Sequence, residues 1–322
     1  MAYSAFKKLH PAYILFSAGL VLLFFIAAGF IPTDISDNAF PSLLAFYVKS
    51  KAWGLSFGLL VSLGTAYLMM YLLNVHNIFK PKTFLPFTFF GLALALFPSN
   101  LYLNSLLVSN ALFLLCINKM LYLATGKGGN HHTFEASFFL GLASLFYWPA
   151  IFTLPVVLLA TIISGLFNVK SFFSWLLGFI FPWAFARAIY FLFELDFNFA
   201  FSWQAPDLVV FFKNKVALYN IIYVLLSLII GLFFYFKSLE KNTVEVRNQK
   251  RIVGLSSLVW ILSAWCVFAT PVNGGLFFVM LAPILAFLIS TFLYHATWKP
   301  VVLAHLIITI ALLIHNYAYL IA

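Results

Sequence analysis

Charge is what this chain has least of. Only 8% of its 322 residues are Asp, Glu, Lys or Arg, eight acids against 18 bases. A water-exposed domain surface carries roughly a quarter to a third of such residues, so no soluble domain fits this composition. Cysteine is almost as scarce. Cys116 and Cys266 both fall in apolar runs, where a thiol behaves as a small hydrophobe; two such residues make neither a disulfide framework nor a thiolate metal cluster. A nucleotide loop is missing too: residues 126–132 read GKGGNHH, without the full GxxxxGK[ST] pattern or a preceding strand, and are expected to form a cytoplasmic turn. No internal repeat stands out. The opening run is basic, then apolar over a full spanning length, with no small-residue cleavage site before IPTDISDN, and it reads as a retained first helix.

What is abundant is hydrocarbon. Hydrophobic residues make up 64% of the chain, 41 of them Phe, and the mean hydropathy is +1.05. A membrane span needs about 20 mostly apolar residues. Inside hydrocarbon the backbone must satisfy itself, so such runs have to be helices. The expected fold is therefore all-α: a single polytopic membrane domain over residues 1–322, with spans near 13–31, 52–73, 83–97, 101–124, 134–147, 150–166, 172–193, 217–236, 252–269, 275–294 and 301–320. Alternate loops hold nearly all the cations, namely Lys7, Lys8, Lys80, Lys82, Lys119, Lys127, Lys170, the cluster from Lys237 to Arg251, and Lys299. The positive-inside rule puts those loops and the N-terminus in the cytoplasm. The net charge of +10 is thus a topological signal, and it implies lipids rather than nucleic acid as partners.

The opposite side receives Asp34, Asp37, Glu194, Asp196 and Asp207 in two long, semi-apolar loops of interfacial character. If the residues after Thr33 open a helix, Asp34 and Asp37 share one face. Capping accounts for one acid but not for two. Arg187 is a cation deep inside an expected span, the kind of residue that marks a functional site in a membrane. It either neutralises Glu194, two turns outward, or holds a phosphate with its planar fork, assisted by Lys49, Lys51, Lys213 and Lys215. Trp53, Trp148, Trp183 and Trp203 fall where aromatic belts are expected, and Trp148 and Trp203 also suit sugar stacking. His305 and His315 share one expected helix while His131 and His132 sit in a loop, an arrangement that offers neither haem nor a metal ion a ligand set.

One stretch resembles a known superfamily. Residues 139–145, FLGLASL, followed by the turn Tyr147-Trp148-Pro149 and by Leu154-Pro155, are similar to the paired-helix signature of the glycosyltransferase-C superfamily: a small-residue helix, a short outer turn, and an apolar helix with a central proline. Thr270 to Tyr294, with Pro283, is similar to a late segment of the same superfamily. The resemblance implies a glycosyltransferase-C-like module over 13–193, an outer loop over 194–216, and C-terminal helices over 217–322. It further implies a catalytic acid in the first outer loop, at Asp34 or Asp37, with sugar or acceptor contacts from Trp148, Trp203 and Asp207. The donor would be a polyprenyl-phosphate-linked sugar in a bacterial inner membrane, with no metal or other cofactor; the turn Pro98-Ser99-Asn100 has no acid for a metal. The richness in Phe, Lys and Asn is similar to that of polytopic proteins of the Bacteroidota. A non-catalytic subunit bound to other cell-envelope membrane proteins, and a lipid transporter or flippase, are the alternative expectations.

Overall fold

The computed structural model describes residues 18–19, 22–27, 50–79, 82–96, 101–126, 129–194, 215–240, 243–268, 274–295 and 299–321. The elements are all helical. After the helical residues 18–19 and 22–27 come α1 (Lys51–Val75), α2 (Leu85–Ala95), α3 (Ser105–Ala124), α4 (Asn130–Phe146), a 3-10 helix (Trp148–Thr153), α5 (Leu154–Ile163), α6 (Val169–Leu192), α7 (Lys215–Glu240), α8 (Val244–Phe268), α9 (Gly274–His295) and α10 (Lys299–Ile321). Five stretches are long and apolar enough to cross a membrane: Ala52–Val75, Ser105–Ala124, Val169–Leu192, Ile222–Leu239 and Phe278–His295. Leu85–Ala95, Trp148–Ile163 and Ile307–Ala318 are shorter apolar helices. The protein is an all-helical bundle with five candidate membrane-spanning helices.

Local chemistry fixes where these helices begin and end. Asn104 caps α3 by accepting from the Leu107 amide at 2.9 Å. Asn168 and Ser171 form a reciprocal capping box on α6, which satisfies orphan donors at its start. Gly126 and Gly165 take left-handed φ values of +70° and +69° just past α3 and α5, the conformation that closes a helix and that glycine adopts without a Cβ clash. Three segments depart from the sequence expectation. The span expected over 150–166 is a 3-10 helix, Trp148–Thr153, followed by the short α5. Helix α8 starts at Val244 rather than Ile252, because Glu, Arg, Gln and Lys are good helix formers and VEVRNQKR extends the helix beyond its apolar part. His131 and His132 lie in the first turn of α4, not in a loop.

Helix α9 is the hub. Within its apolar window 89% of residues are buried, and it packs against α2, α3, α7 and α8. Helix α6 is the opposite case, with 17% buried; Phe173, Leu177, Phe181 and Phe185 are exposed along it at four-residue spacing. An apolar stripe of that length needs hydrocarbon around it. The end of α1 meets the end of α3, which meets the start of α4, the end of α7 meets the start of α8, and ring contacts of Phe79 with Tyr294 and of Phe234 with Phe292 bring both groups to the end of α9. We call this the basic end.

Candidate functional site

The paired-helix region is built around glycine. A Cβ on Gly141 of α4 would lie 2.7 Å from the Phe179 carbonyl oxygen, and one on Gly178 of α6 would lie 2.5 Å from that of Phe134. Only glycine permits this approach, the small-residue packing typical of membrane helices. Pro182, a break in the hydrogen bonding of α6, seats against Gly141. Trp183 then donates its indole N–H to Ser144 Oγ at 2.8 Å, and Trp175 donates to the Leu154 carbonyl at 3.0 Å. The two helices run parallel, and these pairings put Arg187 level with the junction between α4 and the 3-10 helix, where Trp148 begins.

Arg187 is exposed on α6, the least buried of the candidate spans. Glu194 is exposed immediately past the helix end, with a left-handed φ of 53°. Trp148 is half-buried, edge-on to Phe152 at 5.7 Å. Asp34, Asp37, Lys49, Trp203 and Asp207 lie outside the described residues, as does the side chain of Lys51, whose backbone opens α1. The structure therefore brings Trp148 and Arg187 to one end of the α4–α6 pair, with Glu194 just beyond α6, while Asp34, Asp37, Asp196 and Asp207 lie outside the described residues.

Beneath this end lies a buried polar network that composition does not reveal. Pro283 has no N–H, so the carbonyl four residues earlier, that of Val279, loses its partner within α9. Asn110 of α3 supplies the replacement: its Nδ2 donates to the Val279 oxygen at 2.5 Å, while its Oδ1 accepts from the Trp260 indole at 3.2 Å. Trp260 stacks on Phe113 at 3.7 Å with the rings 6° from parallel. The Tyr147 hydroxyl donates to the Ser263 carbonyl, and Ser109 Oγ donates to that of Ala143 at 3.2 Å. These bonds tie α3, α4, α8 and α9 together around a rigid centre.

The basic end groups titratable residues that the sequence reading named apart, Lys119, His132 and Lys250, with others it did not name, Glu135, Tyr122 and His76. Glu135 Oε2 bonds Lys119 Nζ and His132 Nδ1, each at 3.0 Å. Tyr122 stacks on His132 at 5.3 Å and meets His76 edge-on at 4.7 Å; His76 Nε2 is 3.0 Å from Asn118 Oδ1. Burial holds His76 below the ordinary imidazole range, against the opposing pull of that hydrogen bond. The available signal was the four-residue spacing of Asn118 and Tyr122, with Lys119 beside them, near a histidine pair. At the hairpin of α7 and α8, Lys250 is 3% exposed, donates to Ser238 Oγ at 3.2 Å, and is pushed down to about 8 by burial.

Among the described residues no group of three or more His, Cys, Asp and Glu side chains is arranged to hold a metal ion. No protein-family model, curated protein or solved structure matches the chain.

Proposed function

We propose that the chain is an integral protein of the bacterial inner membrane with eleven spans and a cytoplasmic N-terminus, and that it transfers a sugar from a polyprenyl-phosphate donor to a cell-envelope acceptor in the manner of a glycosyltransferase-C enzyme. The supporting observation is the pair formed by α4 and α5: the glycine-bearing small-residue helix, the 3-10 turn beginning at Trp148, and the proline-started helix at Leu154 follow the order that the sequence resemblance implies. In this reading Asp34 or Asp37 takes the proton from the acceptor hydroxyl as it attacks the anomeric carbon. The bond to the carrier phosphate breaks, and Arg187, with Lys49 and Lys51, stabilises the charge that develops on that phosphate. Trp148, Trp203 and Asp207 flank the sugar or acceptor. Membrane lipids surround the bundle.

The test is to express Asp34→Asn and Asp37→Asn, singly and together, in cells lacking the wild-type gene and to follow transfer of labelled sugar from polyprenyl phosphate into envelope glycans. General-base catalysis is worth about 100-fold or more. One substitution should therefore abolish most transfer at normal expression, while the other matters less. Intact transfer in all three variants would remove the enzymatic assignment. If bulky changes across Phe40 to Tyr47 then disrupt a membrane complex, the protein is a non-catalytic subunit; net lipid movement in reconstituted vesicles would make it a flippase.

A further inference from the structure

The apolar outer face of α8 ends in arginine. Leu255, Leu258 and Leu262 are exposed along it, while Ile252, Ser256, Trp260 and Ser263 are buried. The next position back on the exposed stripe is Arg251, itself exposed, and one turn earlier comes Arg247, half-buried. From Arg251 to Leu262 the helix rises about 16 Å, about half of a hydrocarbon core some 30 Å thick. We propose that this face binds an anionic phospholipid of the leaflet at the basic end, with its phosphate at Arg247 and Arg251 and its acyl chains along the leucines.

These cations have no acid of their own. Arg247 lies three residues before Lys250 and four before Arg251, the spacings at which helical side chains are neighbours and like charges repel. The carboxylate at the start of the same helix, Glu245, stands three and four residues from Asn248 and Gln249 instead. Among the described residues the ion pairs are those of Glu135 with Lys119 and His132, and no carboxylate pairs with Arg247, Lys250 or Arg251. A second observation concerns Arg247 alone: its Nε is buried with no hydrogen-bond partner. A charged donor so placed is costly until an acceptor reaches the guanidinium, and phosphate matches that planar fork. Third, Lys250 is fixed beside the arginines. It is 3% exposed, and its amine donates to Ser238 Oγ across the α7–α8 hairpin, so its charge is screened less than that of a surface lysine. Lys237, exposed in the last turn of α7, adds to the field. A basic cluster immediately outside an apolar membrane helix is a recurrent seat for anionic headgroups.

The test follows melting of the full chain in phosphatidylcholine nanodiscs with increasing phosphatidylglycerol. Wild type should be stabilised saturably, and part of the gain should survive about 1 M salt, where the Debye length is about 3 Å and exposed charges no longer act at a distance. Arg247→Gln and Arg251→Gln, which keep a good helix former, should each need about fivefold more phosphatidylglycerol for half of the shift, the scale of one basic residue at an anionic surface. Lys170→Gln removes an exposed charge from the start of α6 and should respond as wild type does. In pure phosphatidylcholine both arginine variants should melt at or slightly above wild type, because a repulsion is relieved. Lower melting of both there would show that the arginines already have partners within the chain. An equal loss of response in Lys170→Gln would show a diffuse surface charge, and stabilisation of phosphatidylcholine discs by inorganic phosphate through the same arginines would show a soluble ligand. Any of these three results, or a wild type indifferent to phosphatidylglycerol, overturns the proposal.

Discussion

Replacing Asn110 by Leu should unlock the centre of the bundle, and the loss can be worked from the contacts. The change keeps the volume but removes the donor to the Val279 carbonyl at 2.5 Å and the acceptor for the Trp260 indole at 3.2 Å. Both groups are in fully buried surroundings, with Asn110 and Trp260 at 0% exposure. An unsatisfied buried group costs about 1–3 kcal/mol, and interhelical hydrogen bonds measured in membranes fall near the low end, about 0.6 to 1.7 kcal/mol. Two orphans therefore place the cost at about 1–3 kcal/mol. The sharper forecast concerns coupling. Pro283→Ala restores an N–H that can bond Val279 within α9, so in that background Asn110→Leu should orphan only the indole. A double-mutant cycle on the purified protein, unfolded reversibly in a denaturing detergent and followed by circular dichroism, should give a coupling of about 1–2 kcal/mol. If the two substitutions are additive, the reasoning that Asn110 replaces the bond lost to Pro283 is wrong.

Gly178→Leu and Gly141→Leu should separate α4 from α6, since even a methyl at these positions meets carbonyl oxygen at 2.5 and 2.7 Å; thermal melts should fall well below wild type, whereas Gly64→Ala, where nothing lies within 4 Å, should be near neutral. Lys250 makes stability rise with pH. Unfolded, the side chain keeps its proton up to its ordinary value of 10.5, while folded it releases it near 8, so between these values the unfolded state binds more protons and the folded state gains as pH rises. The gain across that window is about 3 kcal/mol, and it should vanish in Lys250→Met when melts are compared from pH 7.5 to 10.5. Arg187→Lys should impair sugar transfer nearly as much as Arg187→Ala if the planar fork grips phosphate; rescue of transfer by a double change of Arg187 to Met and Glu194 to Gln would show instead that the two merely neutralise one another.

Helices that are apolar all round were legible because uninterrupted hydrophobicity is itself the signal in a membrane; α3, α6 and α9 begin and end within a few residues of expectation. The polar extension of α8 was not, because residues 244–251 carry the composition of a loop but the helix propensity of a helix. The segment after Tyr147 begins as a 3-10 helix, and Pro149 and Pro155 mark its two breaks in the sequence. At the candidate site, the glycine pair could be suspected from FLGLASL. The partner of the orphaned Val279 carbonyl could not, since Pro283 announces a missing bond while Asn110 lies far away along the chain. The cluster around Glu135 was hidden for a similar reason: Lys119 reads as an orienting charge until α3 and α4 are placed side by side.

The most direct test of the account is the sidedness of the helix ends. With Cys116 and Cys266 replaced by Ala, single cysteines at Thr125, Ser164 and Thr243 should react with an impermeant maleimide only in inside-out vesicles. Cysteines at Ser50 and Glu194 should react only in right-side-out spheroplasts. Labelling of all five from one face would contradict the membrane-spanning bundle and the functions argued from it.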